Sequence, residues 1–432
     1  MTSLWTETAT LPRFDSLSGD CHTDVLIVGG GMAGILCAQM LQEVGINYLL
    51  IEARQIGSGI TKNTTAKITA QHGLIYHKLV KKQGAEAAET YLRANLNALE
   101  DFRRLSQGID CDFEIQDSFV YSCSHSKKLE KELYALELLN YDAKFVQNIP
   151  LPFPAVGAVY FPNQAQFHPL KFLSERSKSL NIRENTKLLE LEPGIAKTNH
   201  GTIRAEKIII ATHFPILNKH GSYFLKQYQH RSYVLALEGA PLPGGMFVDE
   251  SKSGLSFRSY DGRLILGGGA HRTGKKGGNW TELESFVHEH YPNATVKNHW
   301  ATQDCMSLDG MPYIGQYSAQ TPNLYVTTGF NKWGMTSSMV AARLLTDLVQ
   351  GRPNPCEALF SPSRSVLTPQ LVVNGFEAIS NLLRISPKRC PHMGCALKWN
   401  RAERSWDCPC HGSRFDENGN LIDNPATDDL NS

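Results

Sequence analysis

Six residues near one end of this chain could hold a metal or a redox centre. They fall in two short runs, Cys390-Pro391-His392-Met393-Gly394-Cys395 and Cys408-Pro409-Cys410-His411-Gly412-Ser413. Each run places a cysteine two or three residues before a histidine and carries a second cysteine. Thiolates are soft donors that hold ferric iron, and neutral imidazoles complete a ligand set without adding charge. Zinc sites usually pair like with like, so the alternation within each run argues against zinc. Four of the chain's ten cysteines crowd into these runs, which points to metal or redox chemistry rather than to a disulfide scaffold. The other six (Cys21, Cys37, Cys111, Cys123, Cys305 and Cys356) are scattered and read as reduced thiols.

A second chemical signal lies near the start. Gly29-Gly30-Gly31-Met32-Ala33-Gly34 fits G-x-G-x-x-G. Gly29 permits a tight turn, Gly31 lets the backbone approach a pyrophosphate, and Gly34 lets the following helix pack on the sheet. The helix N-terminus, at Met32 and Ala33, presents free N–H groups and a positive dipole end to phosphate. Glu52 ends the next apolar run, where an acid suits ribose hydroxyls. Ala53, Arg54 and Ser58 follow it in a glycine-rich stretch.

These residues need a frame. Asp24–Val28 reads as a buried parallel strand, Met32–Val44 as a helix stopped by Gly45, and Tyr48–Ile51 as the next strand. A helical pattern covers His77–Ser106, and another covers Leu129–Leu139. Lys207–Ala211 is a further buried strand that delivers Ala211 and Thr212. Arg231–Glu238 and Gly254–Gly267 read as sheet, with Asp261-Gly262 as a hairpin signal. Asn323–Thr328 is a strand feeding Gly329, and Met335–Leu348 is a helix. Pro353–Arg364 reads as a linker, followed by an apolar segment from Leu367 to Leu383.

The chain has 432 residues, enough for two or three units of ordinary domain size. Hydrophobic content of 41% and charged content of 20% suit a globular enzyme. A formal net charge of +1 gives no field for nucleic acid or anionic lipid to bind the molecule as a whole. No targeting signal and no membrane span is expected, and the location expected is the cytoplasm.

Most of residues 20 to 352 resemble the D-amino-acid oxidase-like family of FAD-dependent oxidoreductases, which includes glycine and sarcosine oxidases. The glycine fingerprint, Gly57-Ser58-Gly59, Ile208–Thr212, Asp309-Gly310-Met311-Pro312-Tyr313-Ile314-Gly315 and Gly329-Phe330-Asn331-Lys332-Trp333-Gly334 carry the likeness. It implies FAD as cofactor and an α/β fold: a Rossmann-type FAD-binding domain with an inserted mixed α+β substrate domain. The implied division gives FAD-binding parts at 20–78, 146–215 and 305–352, and substrate-domain parts at 79–145 and 216–304. Gly334, Met335 and Thr336 would face the flavin edge. Thr64, Thr65 and Lys67 would pass beside the ring, with Lys67 a candidate cation near its reactive nitrogen. One departure concerns the substrate. Amino-acid-oxidising relatives place an arginine before the D-G-x-P-x-I-G run to clamp a carboxylate, whereas Ala301-Thr302-Gln303-Asp304-Cys305 holds none. Arg258 or Arg272 could replace it.

The C-terminal runs resemble Rieske [2Fe–2S] proteins, in a small β/loop domain at 386–432 after a linker at 353–385. The resemblance assigns Cys390 and Cys408 to one iron, His392 and His411 to the other, and a disulfide to Cys395 and Cys410. The domain looks shortened. Phe415 stands where cytochrome bc-type proteins have tyrosine, so one hydrogen bond to a ligand sulfur is lost while Ser413 remains. A potential below that of bc-type clusters is the expected result. Asn424-Pro425-Ala426-Thr427 replaces the usual Gly-Pro-Ala-Pro loop. Together the parts imply an enzyme passing electrons between a small-molecule substrate (an amine or amino acid), FAD, the cluster and an outside donor or acceptor. The alternative is a redox sensor or electron-transfer module without a small substrate, which would have a sealed flavin face.

Overall fold

The computed structural model describes every residue except 1, 218–219, 252–253, 366–367, 385, 387 and 431–432. Leu367, the start of the apolar segment noted above, therefore lies outside the described residues.

Among the described residues the strands form three sheets. In the first, Leu324–Thr328, Gly201–Ile210, Cys21–Val28, Tyr48–Ile51 and Ile182–Arg183 lie side by side and parallel. Their central residues (Leu26, Ile27, Leu50, Ile209) are fully buried, as expected of a parallel sheet covered on both faces. The helices Met32–Glu43 and Gly334–Val349 pack against each other on one face, and both point their N-termini to the same end of the sheet as Gly29 and Gly329.

The second sheet is larger and mostly antiparallel. Thr295–Ser307, Gln227–Glu238, Arg263–Arg272 and Ser256–Tyr260 run in that order, followed by Met246–Asp249, Glu114–Ser122, Gly157–Gln166 and Lys67–Ile68. The turn at Asp261-Gly262 has positive φ at both residues (48° and 69°), the conformation a two-residue hairpin prefers. Gly157–Gln166 was assigned from sequence to the FAD-binding part, but its ladder pairs it with Glu114–Ser122 in this sheet. The helical pattern from 77 to 106 is two helices, Tyr76–Gln83 and Ala85–Leu105. Gly84 separates them at φ 90°, which breaks the i to i−4 ladder.

The third sheet is a four-stranded antiparallel meander: Lys398–Asn400, Ser405–Asp407, Arg414–Phe415 and Leu421–Asp423. The stretch read as a linker contains a helix, Pro369–Leu383, begun by a proline in its first turn.

Candidate functional site

One cavity of about 870 Å³ runs from the glycine turn into the larger sheet. At one end stand Gly29, Gly31, Met32 and Ala33, each placed by the strand-turn-helix of the first sheet. Gly29 has φ 111°, and a Cβ there would lie 2.6 Å from the Ala211 carbonyl oxygen. A Cβ on Gly34 would collide with the Gly29 carbonyl, whereas one on Gly31 would meet only Thr61 Oγ1, at an ordinary contact distance of 3.5 Å. Gly31 is thus the face left clear for a ligand, while Gly29 and Gly34 serve the turn and the packing. Glu52 closes the strand beside them. Its Oε2 accepts from the Gly30 N–H at 2.8 Å and its Oε1 from the Arg54 N–H at 2.9 Å. Burial pushes its carboxyl above the usual range, opposed by those two bonds.

Ala53, Arg54, Ser58, Thr64, Thr65, Lys67, Ala211, Thr212, Gly334 and Met335 also line the cavity. Gly34, Gly329 and Thr336 do not appear on its wall. Thr336 is turned inward instead, bonded to His72 Nε2 at 2.9 Å and to the Thr69 carbonyl at 3.2 Å. His72 in turn stacks on Trp333, centroid to centroid 4.9 Å, and so braces the entry to the Gly334–Val349 helix.

Two titratable groups stand out on the wall. Burial and the neighbouring Arg258 lower the Lys67 ammonium to about 7. Burial raises the Asp304 carboxyl to about 6, against the pull of Lys332 and Arg231. Neither arginine suggested as a carboxylate clamp lines the cavity. Arg258 is fully buried and donates to the Thr65 and Ala66 carbonyls at 2.6 and 2.9 Å, fixing the segment that presents Lys67. Arg272 lies over the Tyr228 ring and donates to the Cys410 carbonyl at 3.3 Å. Among the described lining residues the one arginine is Arg54, beside Glu52.

The cysteine–histidine loops sit on the reverse of the wall. Gln227–Glu238 and Thr295–Ser307 pair side by side, and successive side chains on a strand point to opposite faces. Tyr228, His230, Thr302 and Asp304 face the cavity. Gln229 and Gln303 face the loops: a Cβ on Gly412 would collide with Gln229, and Gln303 Nε2 donates to the Gly412 carbonyl at 2.9 Å. One sheet layer therefore separates the cavity from the loops.

Within the loops, tight turns close through Gly394 N–H to the Cys390 carbonyl (2.8 Å) and Gly412 N–H to the Cys408 carbonyl (3.0 Å). A disulfide joins Cys395 to Cys410. The Cys390 and Cys408 thiols interact directly, which lowers Cys390 and raises Cys408. The Ser413 hydroxyl and the N–H groups of His392 and Met393 also bond the Cys390 sulfur. The His392 and His411 rings meet edge to face at 5.1 Å. Burial keeps both imidazoles neutral, lowering them to about 4 and about 3. His411 Nδ1 is buried and has no hydrogen-bond partner among the described residues. Two buried thiols, two neutral imidazoles and an orphaned ring nitrogen fit an iron–sulfur centre. The glycine cradle, the acid at the second strand end and the cavity volume fit a dinucleotide.

Sequence reasoning missed one part of the wall. Ile422, Asn424, Thr427 and Asp428, beyond the cysteine–histidine loops, close the dinucleotide end of the cavity. Asn424 Nδ2 donates to the Phe214 carbonyl at 3.1 Å, and Lys187 pairs with Asp428 at 3.0 Å. No local pattern marks such a contact between distant segments; the only signal was the unusual Asn424–Thr427 run.

Comparison with known proteins bears on both halves. Residues 24–348 match the DAO family model, FAD dependent oxidoreductase, and residues 363–432 match the Rieske [2Fe-2S] domain model. The chain is 33% identical to the Rieske 2Fe-2S iron-sulfur protein YhfW of Bacillus subtilis, over 98% of this chain and 95% of that one. It is 22% identical to gamma-glutamylputrescine oxidoreductase of Escherichia coli, over 78% and 86%. Its fold is similar to that of glycine oxidase from Geobacillus kaustophilus, with a TM-score of 0.68 at 18% identity, covering 80% of this chain and 99% of that one.

Proposed function

The chain belongs to the DAO family of FAD-dependent oxidoreductases and ends in a Rieske [2Fe-2S] domain, and from that premise we propose that it oxidises a small amine and moves the electrons between FAD and the cluster within one polypeptide. The observation that carries this reading is the shared wall: one sheet has the dinucleotide cavity on one face and the cysteine–histidine loops on the other. Bound there, FAD takes two electrons from a substrate carbon and can release them singly, and a [2Fe–2S] cluster carries one at a time.

In this reading Gly29, Gly31, Met32, Ala33 and Gly34 form the pyrophosphate turn, and Glu52 takes the ribose, with Ala53, Arg54 and Ser58 behind it. Thr64, Thr65, Ala211, Thr212, Gly334 and Met335 line the remainder, and Gly329 and Thr336 support the helix entry. Cys390 and Cys408 hold one iron, His392 and His411 the other, and Cys395–Cys410 ties the loops. An outside electron donor or acceptor completes the cycle.

The substrate class follows from the charges at the inner end. No arginine among the described residues faces it, so a carboxylate finds no bidentate partner. Asp304, ionised above pH about 6, offers its carboxylate oxygens to an ammonium. It can also take the proton that the nitrogen must shed before its α-carbon is oxidised. Lys67, held near 7, can stand either charged or neutral at its Nζ on the same cavity wall. One relative is named for gamma-glutamylputrescine, an amine. A sealed flavin face, which a non-catalytic module would have, is not what supports this reading; the cavity runs on past Val248, Ser256 and Gly267.

The test is anaerobic mixing of holoprotein with a panel of amines and amino acids, followed by absorption and EPR spectra. Flavin bleaching by an amine, with a reduced-cluster signal and no added reductant, is the expected result. Bleaching with the cluster left oxidised would remove the internal electron path. Turnover of amino acids alone would overturn the substrate class.

A further inference from the structure

The helix Pro369–Leu383 is amphipathic the wrong way round. A surface helix normally buries its apolar stripe and offers its polar face to water. Here the buried residues are Asn374 and Asn381. Asn374 Nδ2 donates to the Leu225 and Gln227 carbonyls, Arg272 donates to Asn374 Oδ1 at 2.9 Å, and Glu377 pairs with Lys275. The apolar side chains point outward: Val372 is 73% exposed, Phe376 71%, Ile379 60% and Leu383 79%, with Val373 and Leu382 flanking them. At positions 372, 376, 379 and 383 they form one stripe along the helix. An exposed apolar stripe fixed by hydrogen bonds on its opposite face is built to meet something.

The same surface continues to the metal-site loops. Asn381 accepts from the Ala396 N–H at 3.0 Å, and Arg389 ties the helix end to the loop by donating to the Leu382 and Gly394 carbonyls. Pro391 and Met393, on either side of His392, are exposed. The rim is basic: Arg384 and Arg389 are exposed and Lys388 is half-buried, whereas the helix's one acid, Glu377, is neutralised by Lys275.

We infer that this face docks on an anionic lipid surface, with the stripe in the headgroup–acyl boundary and the basic rim among the headgroups. The charges select this occupant over a second copy of the chain. A second copy set on this face would offer the basic rim no free acid from the helix, since Glu377 is already paired with Lys275, whereas an anionic headgroup layer complements it. Among the described residues no helix is long and apolar enough to cross a membrane; the attachment inferred is to the surface. It would bring the His392 loop to the bilayer and make electron exchange with a membrane-held carrier geometrically direct. The inference rests on the helix face and its basic rim and stands whether or not the substrate is an amine.

The experiment is co-sedimentation of the full-length holoprotein with vesicles of equimolar phosphatidylglycerol and phosphatidylethanolamine, and with vesicles of phosphatidylcholine alone. Binding to the anionic vesicles, weakened by salt, is expected. Phe376→Ser with Ile379→Ser should abolish it. Arg384→Glu, which leaves the apolar stripe intact, should weaken it by about tenfold. Flavin and iron contents measured on each variant must match the wild type, which separates lost docking from lost folding. Absence of wild-type binding, or binding indifferent to both variants, overturns the inference. So does a dimer in solution that the serine variant dissociates, since the stripe would then be a subunit interface.

Discussion

At the scale of single residues, Asp304 and Ser413 make the sharpest claims. Asp304 keeps its proton in the folded protein up to about pH 6, whereas its ordinary value is 3.8. The folded state therefore binds more protons than the unfolded chain between those values, and stability falls as pH rises through that window. Asp304→Asn should remove the penalty. Its melting temperature should exceed the wild type's at pH 8, by an amount worth on the order of 2 kcal/mol, and match it near pH 4. The same variant should raise KM for a cationic amine by tenfold or so at pH 8 through loss of one ionic hydrogen bond. Equal melting curves at pH 8 would mean that the carboxylate is better solvated than its burial implies. At the cluster, the Ser413 hydroxyl bonds the Cys390 sulfur and Phe415, fully buried in the same apolar cluster, has no hydroxyl to offer. Ser413→Ala should lower the reduction potential and Phe415→Tyr should raise it, each by tens of millivolts in redox titration, with the EPR line shape kept. The two cysteine–histidine runs were legible because their spacing is local, and Lys67 drew notice only by its place in the family resemblance. Asp304 was not legible: it lay in a run noted only for lacking an arginine, and its burial depends on strand pairing with Gln227–Glu238.

At the scale of elements, the junction depends on two strands whose side chains alternate between cofactors. The period of the strand was readable, but which face would meet which domain was not, because sheet order is set by distant partners. The same limit explains why Gly157–Gln166 was placed in the wrong layer, while Tyr48–Ile51 and the helix from Met32, made by contiguous residues, were found to within a residue and the strand Cys21–Val28 was found short by three residues at its start. Close approach at the junction requires a glycine. Gly412 has φ 89°, and a Cβ would strike Gln229. Gly412→Ala should cost about 1–3 kcal/mol in loop docking and lower iron content, with flavin retained. Adding Gln229→Ala should recover part of the iron by relieving the collision, but not all, because the backbone strain remains. Full recovery would show that strain at this φ contributes little.

At the scale of the whole molecule, the C-terminal domain is bound to the larger sheet by buried ions and to the cavity by its tail, so both cofactors should share one fate. Arg231, on the sheet, donates from Nε to Glu403 Oε1 at 3.0 Å, and Arg414 reaches Glu403, Asp407 and Asp423. Burial alone would raise the Glu403 carboxyl, but Arg231 and Arg414 hold it down at about 2. Its folded value lies below the ordinary 4.5, so this contribution to stability is present above pH 4.5 and fades as pH falls towards 2. Arg231→Gln leaves a buried carboxylate short of one cation, and such a loss costs about 3–5 kcal/mol. The strand Leu421–Asp423 belongs to the same ionic cluster through Asp423, and its neighbours Ile422, Asn424 and Asp428 wall the dinucleotide end of the cavity. Loosening the cluster should therefore open the cavity. In Arg231→Gln, FAD should dissociate faster than from the wild type, although the substitution lies outside the glycine turn, and in the wild type dissociation should accelerate as pH falls below 4.5. Stopped-flow recovery of flavin fluorescence after dilution measures this directly. If the variant releases its C-terminal domain to protease while holding FAD as tightly as before, the tail is a bystander and the two cofactors are retained independently.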